Sequence, residues 1–227
     1  NNLIVVNDRD NSIKVGSNTM TVSFWTGEAT LDNGANTGDS YNEYYIINLN
    51  GVSGARISIP DTGGSGGYDD ELYIYSTEGP DRVLLNTVGS GADVTGSVVV
   101  GTGNPVDDVS FRNVERLTVK TLGGDDTINV RSTTATAMTN IYAGAGADTI
   151  NVSSTAPDAG GTINQVSGSL VLAGEGGSDV LNIDNSGDTA ANTGTLTSNT
   201  LSGFCPGIIT YGTIEDLNIR LGSGADN

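Results

Sequence analysis

The chain returns repeatedly to one phrase: a glycine-rich run, an aspartate, then a short alternating apolar segment. It reads GSGADVTGSV at 89–98, GGDDTINV at 123–130, GAGADTINV at 144–152, GEGGSDVLNI at 174–183 and GSGADN at 222–227, with a looser GGSGGYDDELYI at 63–74. Repetition on this scale predicts stacked structural units, each burying its apolar face against the next. The phrase also fixes the element type. Glycine reaches positive φ without a Cβ penalty and suits tight turns, whereas β-branched triplets at alternating spacing form strands. Such triplets predict strands at 3–6, 21–25, 45–49, 56–59, 72–75, 97–100, 117–120, 127–130, 149–152, 169–173, 180–183, 208–211 and 217–220. No segment carries a sustained 3.6-residue apolar period with caps, so no helix is expected.

The aspartate that closes each glycine turn marks a frame. Asp70, Asp93, Asp126, Asp148, Asp179 and Asp226 follow one another at intervals of 23, 33, 22, 31 and 47 residues. A coil of two or three short strands plus corners needs about this length, with insertions in the longer intervals. A second repeat overlies the first. Phe111, Val114, Glu115, Leu117 and Val119 recur as Tyr211, Ile214, Glu215, Leu217 and Ile219 at a constant offset of 100. The expectation is an all-β fold: a parallel β-solenoid or β-roll-like stack of short strands with Gly–Asp turns, tandem β-sandwich modules being the alternative. It divides into a partial, uncapped module at 1–69, a central module at 70–178 and a partial module at 179–227. Joined tail to head, the ends read GSGADN-NNLIVV and imitate GAGADTINV. A piece of a tandem array, or a subunit that stacks head to tail with its own copies, is expected.

Charge and residue usage narrow the chemistry. Nine basic residues against 27 acidic ones give a net charge of −18, which excludes nucleic acid as a partner, because phosphate binding needs a basic footprint. It favours cations or simple solubility. Histidine is absent and Cys205 is the single cysteine, so zinc, iron–sulfur, thiol-redox and Ser-His-Asp chemistry lose their usual residues. Cys205 reads as a small, partly buried thiol beside a turn. No apolar run approaches membrane-spanning length, so membrane insertion is not expected.

The repeated aspartate has two readings. Asp after glycine is ordinary turn chemistry, its carboxylate accepting local amides. Stacking the rungs, however, places these carboxylates in a column about 4.8 Å apart. Unit charges at that spacing repel by roughly 3–4 kcal/mol at an effective dielectric near 20. A proton on each acid relieves the repulsion, and so does a divalent cation bridging neighbouring rungs. Carboxylates and turn carbonyls form an oxygen-only shell that suits Ca²⁺. The candidate metal ligands are Asp70, Asp93, Asp125, Asp126, Asp148, Asp179 and Asp226. The doublets Asp69-Asp70 and Asp125-Asp126 offer adjacent carboxylates to two stacked sites.

The phrases GAGADTINV and GEGGSDVLNI resemble the RTX, or hemolysin-type, calcium-binding repeat, whose nonapeptide is GGxGxDxUx with U a large apolar residue. Gly144, Gly146, Asp148 and Ile150 fill that motif, as do Gly174, Gly176 and Asp179 with one extra residue before the aspartate, and Gly123, Gly124 and Asp126 less completely. The resemblance implies Ca²⁺ in the glycine–aspartate turns, a parallel β-roll of x-U-x strands and a secreted protein. The phrases here stand 13 or more residues apart, which implies a rung wider than nine residues. More loosely, the chain is similar to repeat regions of giant bacterial and archaeal adhesins and surface-layer proteins. The function expected is structural: a calcium-rigidified stalk, fibre or surface-layer element outside the cell, without catalysis, its partners being copies of itself or adjacent repeats.

Two other classes compete. Tyr41, Tyr44, Tyr45, the Phe24-Trp25 pair and the Tyr73/Tyr75 pair concentrate aromatics in the first third. On one exposed strand face they form a sugar-stacking platform, as in a carbohydrate-binding adhesin module meeting cell-surface glycan; core packing and cross-strand pairing explain them more simply. A β-helix polysaccharide lyase or hydrolase would use Asp107-Asp108, Glu115 with Arg116, or Glu215-Asp216. Glu115 and Glu215 recur at matching positions, which points to structural repetition, since a catalytic constellation usually occurs once.

Overall fold

A computed structural model describes residues 3–6, 13–16, 19–32, 44–51, 54–60, 69–89, 95–101 and 106–227. These residues form strands and no helix, in two open ten-stranded sheets. Sheet A runs in the order β1 (Leu3–Val6), β4 (Glu28–Asp32), β6 (Arg56–Ile59), β10 (Asp107–Phe111), β9 (Thr95–Val100), β8 (Arg82–Val88), β12 (Thr127–Val130), β14 (Thr149–Val152), β16 (Val180–Asp184) and β20 (Asp216–Arg220). Sheet B runs β17 (Thr195–Leu196), β18 (Thr200–Ser202), β19 (Ile209–Gly212), β15 (Leu170–Gly177), β13 (Met138–Gly146), β11 (Arg116–Lys120), β7 (Glu71–Tyr75), β5 (Tyr44–Asn48), β3 (Thr19–Ser23) and β2 (Ile13–Gly16).

From β3 onward the chain alternates between the sheets except at β8–β10 and β17–β19, where it makes hairpins within one sheet, and the alternating strands pair in parallel with the strand one full alternation later. Thus β7, β11, β13, β15 and β19 lie side by side in sheet B, and β8, β12, β14, β16 and β20 in sheet A. The two TINV copies pair letter for letter, Thr127 with Thr149 through Val130 with Val152. Alternate residues point inward. Ile128, Val130, Ile150, Val152, Leu181 and Ile183 from sheet A meet Leu117, Val119, Ile141 and Leu172 from sheet B in one buried cluster. Each such side chain contributes about 1.5–3 kcal/mol of burial. Trp25 and Tyr45 belong to the same core, which removes Tyr45 from any outer aromatic face.

The purely parallel stack expected from the repeats is corrected in one respect: both sheets are mixed. In sheet A, β9 lies antiparallel between β8 and β10. β8 ends at Val88 and β9 begins at Thr95, and a parallel return needs a crossover of about a dozen residues or more. The short link leaves only the hairpin. The phrase at 89–98 therefore joins two neighbouring strands of one sheet. The same limit makes β2–β3, β17–β18 and β18–β19 antiparallel. Sheet A consequently carries three strands, β10, β9 and β8, across the interval that β7 alone spans in sheet B.

Candidate functional site: a column of buried carboxylates

The passages from sheet B to sheet A after β11, β13 and β15 turn on glycine. Gly124, Gly146 and Gly177 have φ of 107°, 149° and 146°, and each lies against the corner before it. A Cβ on Gly146 would collide with the carbonyl oxygen of Gly124, and one on Gly177 with that of Gly146; a Cβ on Gly124 would meet the Gly79 carbonyl carbon at 2.5 Å. The glycines are thus required twice, by backbone conformation and by the closeness of the neighbouring rung.

The aspartate that follows joins these rungs. The Asp81 N–H donates to Asp126 Oδ1 at 2.8 Å, the Asp126 N–H to Asp148 Oδ1 at 2.8 Å, and the Asp148 N–H to Asp179 Oδ1 at 2.9 Å. The Asp179 N–H donates to Glu215 Oε2 at 2.7 Å. One carboxylate oxygen in each rung therefore satisfies a backbone donor of the rung before, a charge-assisted bond of the strong kind.

The second oxygens divide the column. Asp81 Oδ2 accepts the N–H and the hydroxyl of Thr77, at 2.9 and 2.8 Å. Asp107, at the same register beside Ala55, accepts the Ala55 N–H at 3.0 Å on Oδ1 and the Gly51 N–H at 2.8 Å on Oδ2. Asp126, Asp148 and Asp179 differ: each is 1 % exposed, and each Oδ2 is buried without a hydrogen-bond partner. The Thr121 hydroxyl donates to the Ala143 carbonyl at 2.6 Å and lies close enough to Asp126 to favour its charged form, against the larger effect of burial. Around Asp179, Oδ2 occupies space that a Cβ on Gly174 would fill. Burial pushes Asp126 up to about 6 and raises Asp148 as well, with neighbouring column carboxylates adding repulsion.

Of the residues expected as ligands, Asp126, Asp148 and Asp179 stand on successive rungs of this column. Asp125 is exposed and accepts the Ala147 N–H at 2.9 Å, a separate rung-to-rung staple. Asp70 lies at the entry to β7, where its N–H donates to Glu115 Oε2 at 2.9 Å. Asp226 accepts the Asn192 N–H at 3.0 Å, beyond β20. Asp93 lies outside the described residues, as does Tyr41.

Several partners were not legible in the phrase. Asp81, in TEGPD, lacks the glycine spacing yet starts the column. Glu115 and Glu215 reach back with a longer side chain to the N–H of Asp70 and Asp179. Both follow a residue with positive φ, Asn113 at 55° and Thr213 at 51°, so the 100-residue repeat is a repeated corner; a matching Glu two residues past that turn was the available signal. On the outer face of sheet A an asparagine ladder runs from Asn218 to Asn182, Asn151 and Asn129, with Nδ2–Oδ1 distances of 3.1, 2.9 and 3.0 Å. Cys205 is half-buried, its thiol pushed up to about 11 by burial.

Among the described residues no three His, Cys, Asp or Glu side chains converge on one metal position. The carboxylates lie one per rung, so Asp126, Asp148 and Asp179 are the residues that would hold an ion here, supplying oxygen ligands to a hard cation. The three unpartnered oxygens fit such a group. Comparison with protein-family models, with curated proteins and with solved structures gives no match.

Proposed function

We propose that this chain is a structural repeat segment of an extracellular protein, a solenoid-like stack stiffened along one edge by Ca²⁺. One observation carries the reading. Three successive rungs each bury a carboxylate oxygen that the protein leaves without a donor, while Asp81 and Asp107 satisfy theirs locally. Buried charge without a partner is costly, and a hard cation between neighbouring rungs compensates it with oxygen ligands alone. The residues that would hold it are Asp126, Asp148 and Asp179, whereas Asp70, Asp125 and Asp226 serve as backbone acceptors or donors elsewhere. Calcium binding to the folded state alone adds RT ln(1 + [L]/Kd) to stability, so a site of modest affinity is useful outside the cell, where calcium is plentiful. Copies of this chain, or further repeats of it, are the partners such a scaffold would have.

A thermal melt of chelator-treated protein at neutral pH, titrated with Ca²⁺ and with Mg²⁺ as control, tests the reading. Calcium should raise Tm by several degrees where magnesium raises it little, and Asp148→Asn should remove most of the shift. No calcium-specific shift would leave a scaffold held by its β-ladders alone, with the column as a set of corner staples.

A further inference from the structure

The outer face of sheet B carries a second arrangement, independent of the column. Tyr75 on β7 pairs with Lys120 on β11, and Lys120 with Tyr142 on β13, so the three side chains stand abreast on adjacent strands about 4.8 Å apart. Tyr73 lies two residues along β7 on the same face. All three tyrosines are half-buried, while Leu72, Ile74 and Ile141 beside them point into the core.

Two of the three rings, Tyr73 and Tyr142, have side-chain partners before any ligand arrives. The Tyr73 hydroxyl donates to Glu71 Oε2 at 2.5 Å. Glu71 Oε1 lies 3.7 Å from Arg116 Nε, and Arg116 Nη2 3.2 Å from Asp69. The Lys120 ammonium sits 5.3 Å from the centre of the Tyr142 ring. Tyrosine supplies flat, amphipathic contact area at low entropic cost, and prior fixation lowers that cost further.

We propose that this face binds neutral oligosaccharides, pyranose rings lying on Tyr73, Tyr75 and Tyr142 while Lys120 and Glu71 hydrogen-bond their hydroxyls. Three features select this class. The net charge of −18 opposes polyanions, which sets aside nucleic acids and uronate polymers despite the stacking rings. Between the rings Thr118 and Asn140 are buried and bonded to each other at 3.4 Å, while Glu71, Lys120 and Asn48 beside the rings stay partly exposed and offer hydrogen-bonding groups to sugar hydroxyls. The rings also stand in a row on adjacent strands of one sheet face, an arrangement that matches an extended chain of sugars.

Isothermal titration with cellohexaose and maltohexaose, and with tetragalacturonate as the anionic control, decides the matter. At least one neutral hexasaccharide should bind at millimolar concentration or below, with little heat from tetragalacturonate. The double substitution Tyr75→Ala, Tyr142→Ala should weaken binding by about tenfold or more, the equivalent of about 1.4 kcal/mol, with the melting profile retained. Absence of binding by both neutral sugars overturns the proposal, as does equal or better binding of tetragalacturonate, or binding that survives the folded double variant. Should that variant lose its fold, saturation transfer between tyrosine ring protons and the hexasaccharide in the parent protein gives the decision; no transfer counts against.

Discussion

Glycine and aspartate divide the work of each corner. Gly146 lets the backbone turn at positive φ and lets the next rung's backbone come within contact of Gly124, and Asp148 then fixes the spacing by accepting the Asp126 N–H. Replacing Gly146 by alanine adds both a strained φ and a collision with backbone that cannot rotate away. A loss of about 2–4 kcal/mol follows, readable as a lower denaturation midpoint with unchanged slope. At this scale the sequence was informative where the phrase is intact. The intervals 22 and 31 between Asp126, Asp148 and Asp179 are the separations of the hydrogen-bonded carboxylates themselves. It was uninformative for Asp81, because a proline–aspartate corner reaches the same register with different residues. It also gave no means of telling a satisfied carboxylate from an unsatisfied one, which depends on whether a Thr77 or a Gly51 lies within reach.

Among the elements, every triplet expected to be a strand overlaps one, and no helix interrupts them. Missed were β2, β4, β8, β10, β13, β17 and β18. β13 ends in AGAG, which reads as a turn, yet Gly144, Ala145 and Gly146 continue the ladder against Glu175, Gly176 and Gly177 even though both glycines have positive φ; pairing with the next strand, not local preference, makes them part of the strand. The asparagine ladder is likewise a property of pairing, since Asn129, Asn151 and Asn182 become neighbours only once β12, β14 and β16 are in register. Asn151 both donates and accepts in that ladder. Asn151→Ala should cost about 1 kcal/mol, near the net worth of one or two half-exposed hydrogen bonds, while Thr149→Ala, on the same face at the strand's start, should cost less. Equilibrium urea unfolding of the two variants checks the ranking.

For the molecule as a whole, the buried column sets the pH dependence. Asp126 has a folded-state value raised from 3.8 to about 6, so the folded state holds the proton more tightly than the unfolded chain. The associated stability is complete below 3.8 and is lost as pH rises through about 6. Metal-free protein should therefore melt higher at pH 4.5 than at pH 7.5, by the equivalent of at most about 2 kcal/mol from this group. Asp126→Asn should flatten the profile. A calcium ion at the column would favour the charged form and restore stability at the neutral end, so the pH difference should shrink when calcium is added. A metal-free profile that instead falls toward pH 4.5 would mean that these carboxylates are paid for in their ionised form by groups elsewhere.

The repeated corner has one more consequence. In its first copy the chain passes from β10 in sheet A to β11 in sheet B; in its second it passes from β19 in sheet B to β20 in sheet A. Between β11 and β19 the chain changes sheet six times, so the first corner ends on the sheet from which the second starts, and the same sequence is read once in each direction. One sequence period thus exchanges the sheets, and two periods would be needed to restore the original direction. A lineage that lengthened this chain by copying that segment would place each added corner in the opposite direction from the one before it.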